Sequence, residues 1–172
     1  MIFKEIIKPI NFLLQKQAEN LKTKLAFSDK NEDISYEQLN IETSNLAKNF
    51  KDLDIKSGDA IAIILPNSVN WIVSCFSILR LGCVVVPISF ESTFAEIEYK
   101  LLDSSSKLVI TSKKFKKQLD NFIIQKNLST KVIYIEENEN SLNNLQRLRK
   151  KNNNNFQLID DEIDHPGYIL YT

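Results

Sequence analysis

The chain has 172 residues, 43% hydrophobic and 26% charged, which is ordinary for a globular domain and excludes wholesale disorder. Lys plus Arg number 22 and Asp plus Glu number 22, so the charge balance points to neither nucleic acid nor a polybasic membrane contact. Gly58, Gly82 and Gly167 are the only glycines and lie far apart, so these residues contain no complete glycine-rich phosphate loop.

In chain order, the first predicted element is a helix over 9–21, with Ile10, Leu13, Leu14, Ala18 and Leu21 on one face. Pro9 suits its first turn, where a missing N–H costs nothing. Residues 25–28, the polar turn 29–33 and Ile34 read as a small hairpin. Ser35 and Gln38 have the spacing of a capping box and Ile34 and Leu39 that of a hydrophobic staple, so a helix starts there. Its apolar face is Tyr36, Leu39, Thr43, Leu46, Ala47, Phe50 and Leu53, and Gly58 supplies a positive φ in the turn that follows.

The stretch 60–79 has no charged residue and is long enough, at about 20 residues, to cross a bilayer. Pro66, Asn67, Ser68 and Asn70 break it, however, so a strand, a turn and a helix account for it better than a membrane hairpin over 60–88. The strand 60–65 is apolar at every position, as expected when both faces are covered. Asn67 or Ser68 caps the helix, Val69, Ile72, Val73, Phe76 and Leu79 form its stripe, and Gly82 ends it. With the strand 83–86 this makes a βαβ unit. A second capping box at Thr93 and Glu96 opens the next helix, followed by strand 107–111, a weaker helix over 115–124 and strand 131–135. The segment 136–155 reads as a solvated polar excursion, with Leu142, Leu145 and Leu148 allowing one short helix. Residues 168–171 read as a last strand. The fold class expected is α/β, an open, mostly parallel sheet with helices on both faces.

Ligands of such sheets bind beyond the carboxyl ends of the strands. Those ends carry 66–68, 87–89, 111–112 and 171–172, which offer hydroxyls and backbone donors but no paired carboxylates and no base. His165 is the sole histidine and Cys75 and Cys83 the sole cysteines, so zinc-ligand spacing is absent and a Cys–His dyad is disfavoured. Both thiols sit in apolar stretches, which fits a reducing cytoplasm better than secretion. Asp160, Asp161, Glu162 and Asp164 read as a solvated turn rather than a metal site. No catalytic residue and no metal ligand is assigned.

Five stretches, in order across most of the chain, resemble the amino-terminal part of the adenylate-forming (AMP-binding) superfamily: acyl-CoA synthetases, peptide-synthetase adenylation domains and luciferases. Ser35-Tyr36-Glu37-Gln38-Leu39 looks like its Ser/Thr-Tyr-x-Glu/Gln-Leu helix start. The segment from Gly58-Asp59 to Leu65-Pro66-Asn67 is similar to its Gly-Asp-x-Val-Ala-x-x-x-Pro-Asn. Leu79-Arg80-Leu81-Gly82 through Val86-Pro87 resembles its Leu-Lys-Ala-Gly and Val-Pro stretch, with Arg80 for the common Lys and Leu81 for the common Ala. Leu101-Leu102-Asp103-Ser104-Ser105 and Leu108-Val109-Ile110-Thr111 match its next helix and strand. Finally, 164–172 resembles the approach to its phosphate loop, Tyr-Thr-Ser-Gly-Thr-Thr-Gly.

The resemblance implies that 1–172 is the N-terminal part of an AMP-dependent ligase domain, truncated before that loop. Its parts are a leading helix and hairpin over 1–34, βα units over 35–135, a polar excursion over 136–160, and over 161–172 a strand into the loop. It implies an enzyme whose full-length form uses ATP and Mg to activate a carboxylic acid as an acyl-adenylate, passed to a CoA or carrier-protein thiol. Thr172, the loop's first threonine, is the one nucleotide-binding candidate; no cofactor is expected in this chain alone, and it is expected to be inactive alone. No nucleic acid and no stable membrane insertion are expected, whereas an unfinished sheet edge favours self-association. A stand-alone α/β ligand-binding or signalling module is the alternative, but a receiver-like site needs acidic strand ends, and Asn, Ser and Thr stand there instead.

Overall fold

The computed structural model describes residues 10–135, 144–151 and 166–171. Helix α1 (Ile10–Leu21) leads into an antiparallel hairpin of β1 (Leu25–Ser28) and β2 (Asp33–Ser35). Helix α2 (Tyr36–Asp52) follows at once. Its Ser35 side chain accepts from the Gln38 N–H at 3.3 Å while Gln38 Oε1 accepts from the Ser35 N–H at 2.9 Å, a complete capping box.

Then come β3 (Ala60–Ile64), α3 (Val69–Arg80), β4 (Val84–Pro87), α4 (Phe94–Asp103) and β5 (Leu108–Thr111). A 3₁₀ turn (Lys113–Phe115) leads into α5 (Lys116–Gln125), followed by β6 (Lys131–Tyr134) and α6 (Leu145–Lys150). The four later strands form one parallel sheet in the order β4-β3-β5-β6. Gly58 at φ 86° and Gly82 at φ 69° occupy the left-handed region at the two turns where a side chain would be strained.

The sheet sits between two helical layers, and the pleat sorts its residues between them. Ile61, Ile63, Val85, Leu108, Ile110 and Ile133 pack in one cluster with Leu14, Leu46, Phe50, Val73 and Ile78. Ala60, Ala62, Ile64, Val86 and Val109 pack in the other with Ile97, Leu101, Leu119 and Phe122. Every residue of β3 and β5 is buried, which is why those strands show no polar alternation in sequence. Chain connections run from β3 out to β4 and then back past β3 to β5, so α3 covers one face and α4 and α5 the other. The stretch 60–79 is thereby divided between a core strand and a 12-residue helix. Among the described residues no helix is long and apolar enough to cross a membrane.

Three expectations need correction. Leu13 is 43% exposed; the packed face of α1 is set by Leu14 and Ala18, one helical turn apart. Residues 168–171 form no regular strand, only one parallel bridge from Tyr168 to Val85. The Val85 N–H donates to Gly167 O at 2.9 Å and the Ile169 N–H to Val85 O at 3.0 Å. In a parallel ladder the next donor from β4 would be residue 87, and Pro87 has no N–H, so the pairing stops. The same proline is tolerated in β4 because its nitrogen faces away from β3.

The third correction concerns the polar excursion, whose residues 136–143 and 152–160 lie outside the described ones. Where it is described it is not solvated. Leu145, Leu148 and Arg149 of α6 are buried, and α6 lies on α2. Asn45 Nδ2 donates to Arg149 O at 3.0 Å and Asn49 Nδ2 to Leu148 O at 2.9 Å, so two buried asparagines satisfy carbonyls at the end of the short helix.

Candidate functional site

The parallel strands deliver four chain segments to one end of the sheet. After β3, Ser68 caps α3: its Oγ accepts from the Trp71 N–H at 3.2 Å and donates to Pro66 O at 3.0 Å. After β4, Ser89 Oγ accepts from the Glu91 N–H at 3.2 Å. At the end of β5, Thr111 Oγ1 donates to Ile64 O at 3.1 Å, and Ser112 Oγ accepts from the Lys114 N–H at 3.1 Å. The chain leaves β3 and β5 toward opposite faces, so the topological switch point lies between them, and Thr111 bridges it. The Ser68, Ser89 and Ser112 hydroxyls, as the sequence suggests, are engaged in caps and turns, whereas that of Thr111 bonds across to β3 instead.

The fourth segment is the strap 166–171. Tyr168 runs parallel to β4, so the chain heads toward the carboxyl ends of the strands as it reaches Tyr171. Tyr168 Oη lies 3.1 Å from Cys75 Sγ. Burial pushes the Cys75 thiol up from its ordinary value, and burial together with Cys75 pushes the Tyr168 phenol up. Tyr171 Oη donates to Asp103 Oδ2 at 2.8 Å, and its ring meets Tyr99 edge-on with centroids 6.2 Å apart. Partial burial, followed by the Asp103 carboxylate, pushes the Tyr171 phenol up to about 12.

Thr172, His165 and the acidic residues 160–164 lie outside the described residues. Among the described residues no group of three or more His, Cys, Asp or Glu could hold a metal ion, so no residue there is assigned to magnesium. Cys75 and Cys83 are both buried thiols, not joined in a disulfide. A cavity of about 300 Å³ is lined by Asp54, Lys56, Asp59, Lys107 and Lys131, but these flank the amino ends of β3, β5 and β6, opposite the ligand-binding end.

Two buried cations are not legible in the sequence. Arg80 has its Nη2 donating to Asn40 Oδ1 at 2.5 Å, while its Nε has no hydrogen-bond partner among the described residues. Burial lowers its pKa to about 10. Arg149 is fully buried between Glu32 and Glu42, with Asn70 completing its partners. Neither carboxylate is near Arg149 in sequence, so only a residue pair far apart in the chain could have signalled it.

The hairpin turn is tied to the same region through Asp29. Its Oδ2 accepts from the Val69 N–H at 2.8 Å, and its Oδ1 from Asn31 and Glu32 N–H at 2.7 and 3.1 Å. These bonds, Val69 first, hold its carboxyl below the ordinary value of 3.8. A depressed folded value means that the stabilisation is complete above the unfolded value and is lost as pH falls through the folded one. Urea melts of Asp29→Asn and the native chain should therefore differ by a constant amount above about pH 5 and converge below about pH 4. A difference that persists undiminished at pH 2 would contradict this.

Fold and strand-end geometry define an α/β domain of the kind that carries its chemistry on loops beyond a parallel sheet. The chain belongs to the AMP-binding enzyme family, whose model matches residues 14–172. Tyrocidine synthase 1 of Brevibacillus parabrevis is 28% identical over 106 residues, 62% of this chain and 10% of the relative. Tyrocidine synthase 3 of the same organism is 25% identical over 165 residues, 96% of this chain and 2% of the relative. The crystal structure of the N-terminal domain of FACL13 from Mycobacterium tuberculosis superposes with a TM-score of 0.84 at 24% identity, covering 96% of this chain and 42% of that one. The anthranilate CoA ligase AuaEII, solved with anthranoyl-AMP, gives 0.85 at 18% identity, covering 100% of this chain and 34% of that one. The chain thus corresponds to an N-terminal fragment of this domain and spans a tenth or less of the curated relatives' length.

Proposed function

We propose that residues 1–172 are the front portion of an ATP-dependent ligase that activates a carboxylic acid. In the reaction, a carboxylate oxygen attacks the α-phosphorus of ATP and the bond to pyrophosphate breaks. A thiol, of CoA or a carrier protein, then displaces AMP from the acyl-adenylate. The family match over 14–172 supports this, and so do the relatives, which include peptide synthases and CoA ligases. One observation carries the reading: the strap 166–171 runs parallel to β4 and reaches Tyr171 at the end of the sheet where α/β domains bind ligands. Thr172, next in the chain, is the proposed first residue to contact phosphate, through its backbone N–H and hydroxyl. A location in the cytoplasm, where the two thiols, not joined in a disulfide, stay reduced, belongs to the same proposal.

The division of labour follows from what these residues contain. They supply the sheet, its helical layers and the strap that leads to the loop. A glycine-rich phosphate loop is not among them, and stabilising the charge that develops at phosphorus requires such donors. Carboxylate-dependent exchange of labelled pyrophosphate into ATP should therefore stay at background for residues 1–172 alone. The same assay on the chain continued through a Ser-Gly-Thr-Thr-Gly loop and the remainder of a ligase domain should rise above background, and Thr172→Ala should lower it. Exchange by residues 1–172 alone would overturn the assignment.

A further inference from the structure

The strap has too few ladder bonds to account for its position. Pairing with β4 ends at Ile169, because Pro87 cannot donate the next bond. Beyond that point no backbone hydrogen bond among the described residues ties 170–171 to the sheet, yet Tyr171 is half-buried while Leu170 is 71% exposed. What fixes the end of the strap is its side chains. Tyr171 Oη donates to Asp103 Oδ2 at 2.8 Å and reaches Lys100 O at 3.3 Å. Its ring packs edge-on against Tyr99 with Lys100 Nζ 5.7 Å from the centroid. At the other end, Tyr168 Oη meets Cys75 Sγ, and Gly167 lies so close to Leu79 that a Cβ would stand 3.4 Å from its Cδ2.

We propose that Asp103 and Tyr171 form a latch that shuts the strap 166–171 over Cys75 and fixes the point from which the nucleotide loop departs. Asp103 is in this sense a positioning residue for the loop, a role that rests on the adenylation reading. The latch itself rests only on geometry. Asp103 closes α4 and Cys75 lies within α3, so the strap joins helices on opposite faces of the sheet. Opening it would uncover a thiol that is now 4% exposed, and Cys75 therefore reports its state. Cys83, 1% exposed and bonded to Lys56 O away from the strap, is an internal control.

The test is the rate of N-ethylmaleimide addition at each cysteine of the 172-residue chain, resolved by peptide mass spectrometry. Tyr171→Phe keeps the ring and Asp103→Ala removes the acceptor. Each should raise Cys75 labelling about tenfold, the low end for loss of a hydrogen bond to an ionised carboxylate at a partly exposed site. Asp103→Asn, whose amide oxygen still accepts, should return the rate to within a few-fold of the native chain. Labelling of Cys83 should not change. Native rates in both Tyr171→Phe and Asp103→Ala would overturn the latch, as would Cys83 rising in step with Cys75, which would mean general loosening. This readout involves no nucleotide: absent pyrophosphate exchange in a loop-bearing chain would defeat the adenylation reading and leave the labelling ratios as they are.

Discussion

Arg149→Ala is expected to destabilise the fold by about 3 kcal/mol, the lower end for breaking a buried ion pair by removing one partner. The guanidinium is fully buried. Its Nε donates to Glu42 Oε2 at 2.7 Å, Nη1 donates to Glu32 Oε1 at 2.7 Å and to Asn70 Oδ1 at 2.5 Å, and Nη2 reaches Glu42 and Glu32 at 2.6 and 3.2 Å. All five N–H donors are thus engaged, in a planar fork that lysine cannot reproduce. Deleting it leaves two carboxylates, with side chains 25% and 16% exposed, facing each other without a cation. Their partial access to water is the reason for choosing the lower end of the range.

The loss is not confined to α6. Glu32 lies in the β1–β2 turn, Glu42 on α2 and Asn70 on α3, so one side chain ties four elements together. A thermal midpoint lower by roughly 6–12 °C is expected for a chain of this size. Arg149→Lys should recover less than half of it. The triple variant Arg149→Met, Glu32→Gln, Glu42→Gln should lie closer to the native chain than Arg149→Ala does, because no charge is left buried. A midpoint for Arg149→Ala within about 2 °C of native would refute the role given to this network.

That network also marks where the sequence stops being legible. Elements whose signals are local can be read: Ser35 with Gln38 and Thr93 with Glu96 are three residues apart, and both form complete capping boxes. The run 60–64 signals a strand covered on both faces because burial on two sides leaves no polar positions. Asn45 and Asn49 give no such signal on the helix face, since their partners are carbonyls of residues 149 and 148, separated from them by 104 and 99 positions. The segment around α6 looks solvated for the same reason: composition registers Arg149 as a charge, not as a charge with two remote carboxylates. In the candidate site, Pro66, Ser68 and Ser112 are legible as turns and caps, and the structure uses them so; Thr111 reads the same way in sequence, but its hydroxyl instead bonds to Ile64 O at the end of β3. The pairing of Tyr171 with Asp103 is not, although Asp103 lies in a stretch that carries the family resemblance.

The 172-residue chain is expected to self-associate, and Leu170→Lys to leave it monomeric. In a parallel pairing, alternate residues direct their N–H and C=O to opposite sides. Gly167 O and the Ile169 N–H face β4, so the backbone groups of Tyr168 and Leu170 face outward, and no described residue pairs with them. The apolar side chains along that edge are open as well, Leu170 at 71% and Tyr168 at 46% exposure. With 22 basic against 22 acidic residues, no net charge holds two copies apart. An outward row of unpaired backbone beside exposed apolar groups is a template for a second strand, and an edge lysine is the usual way to block one. Sedimentation equilibrium of the native chain should give a mass that rises with concentration above the 19.9 kDa of one copy. Leu170→Lys should bring it to the monomer value, with a thermal midpoint equal to that of the native chain at dilutions where it too is monomeric, since the side chain makes no buried contact. A native chain that stays monomeric at the highest concentration tested would dismiss the edge as an adhesive surface, and an oligomer unaffected by the lysine would place the contact elsewhere on the molecule.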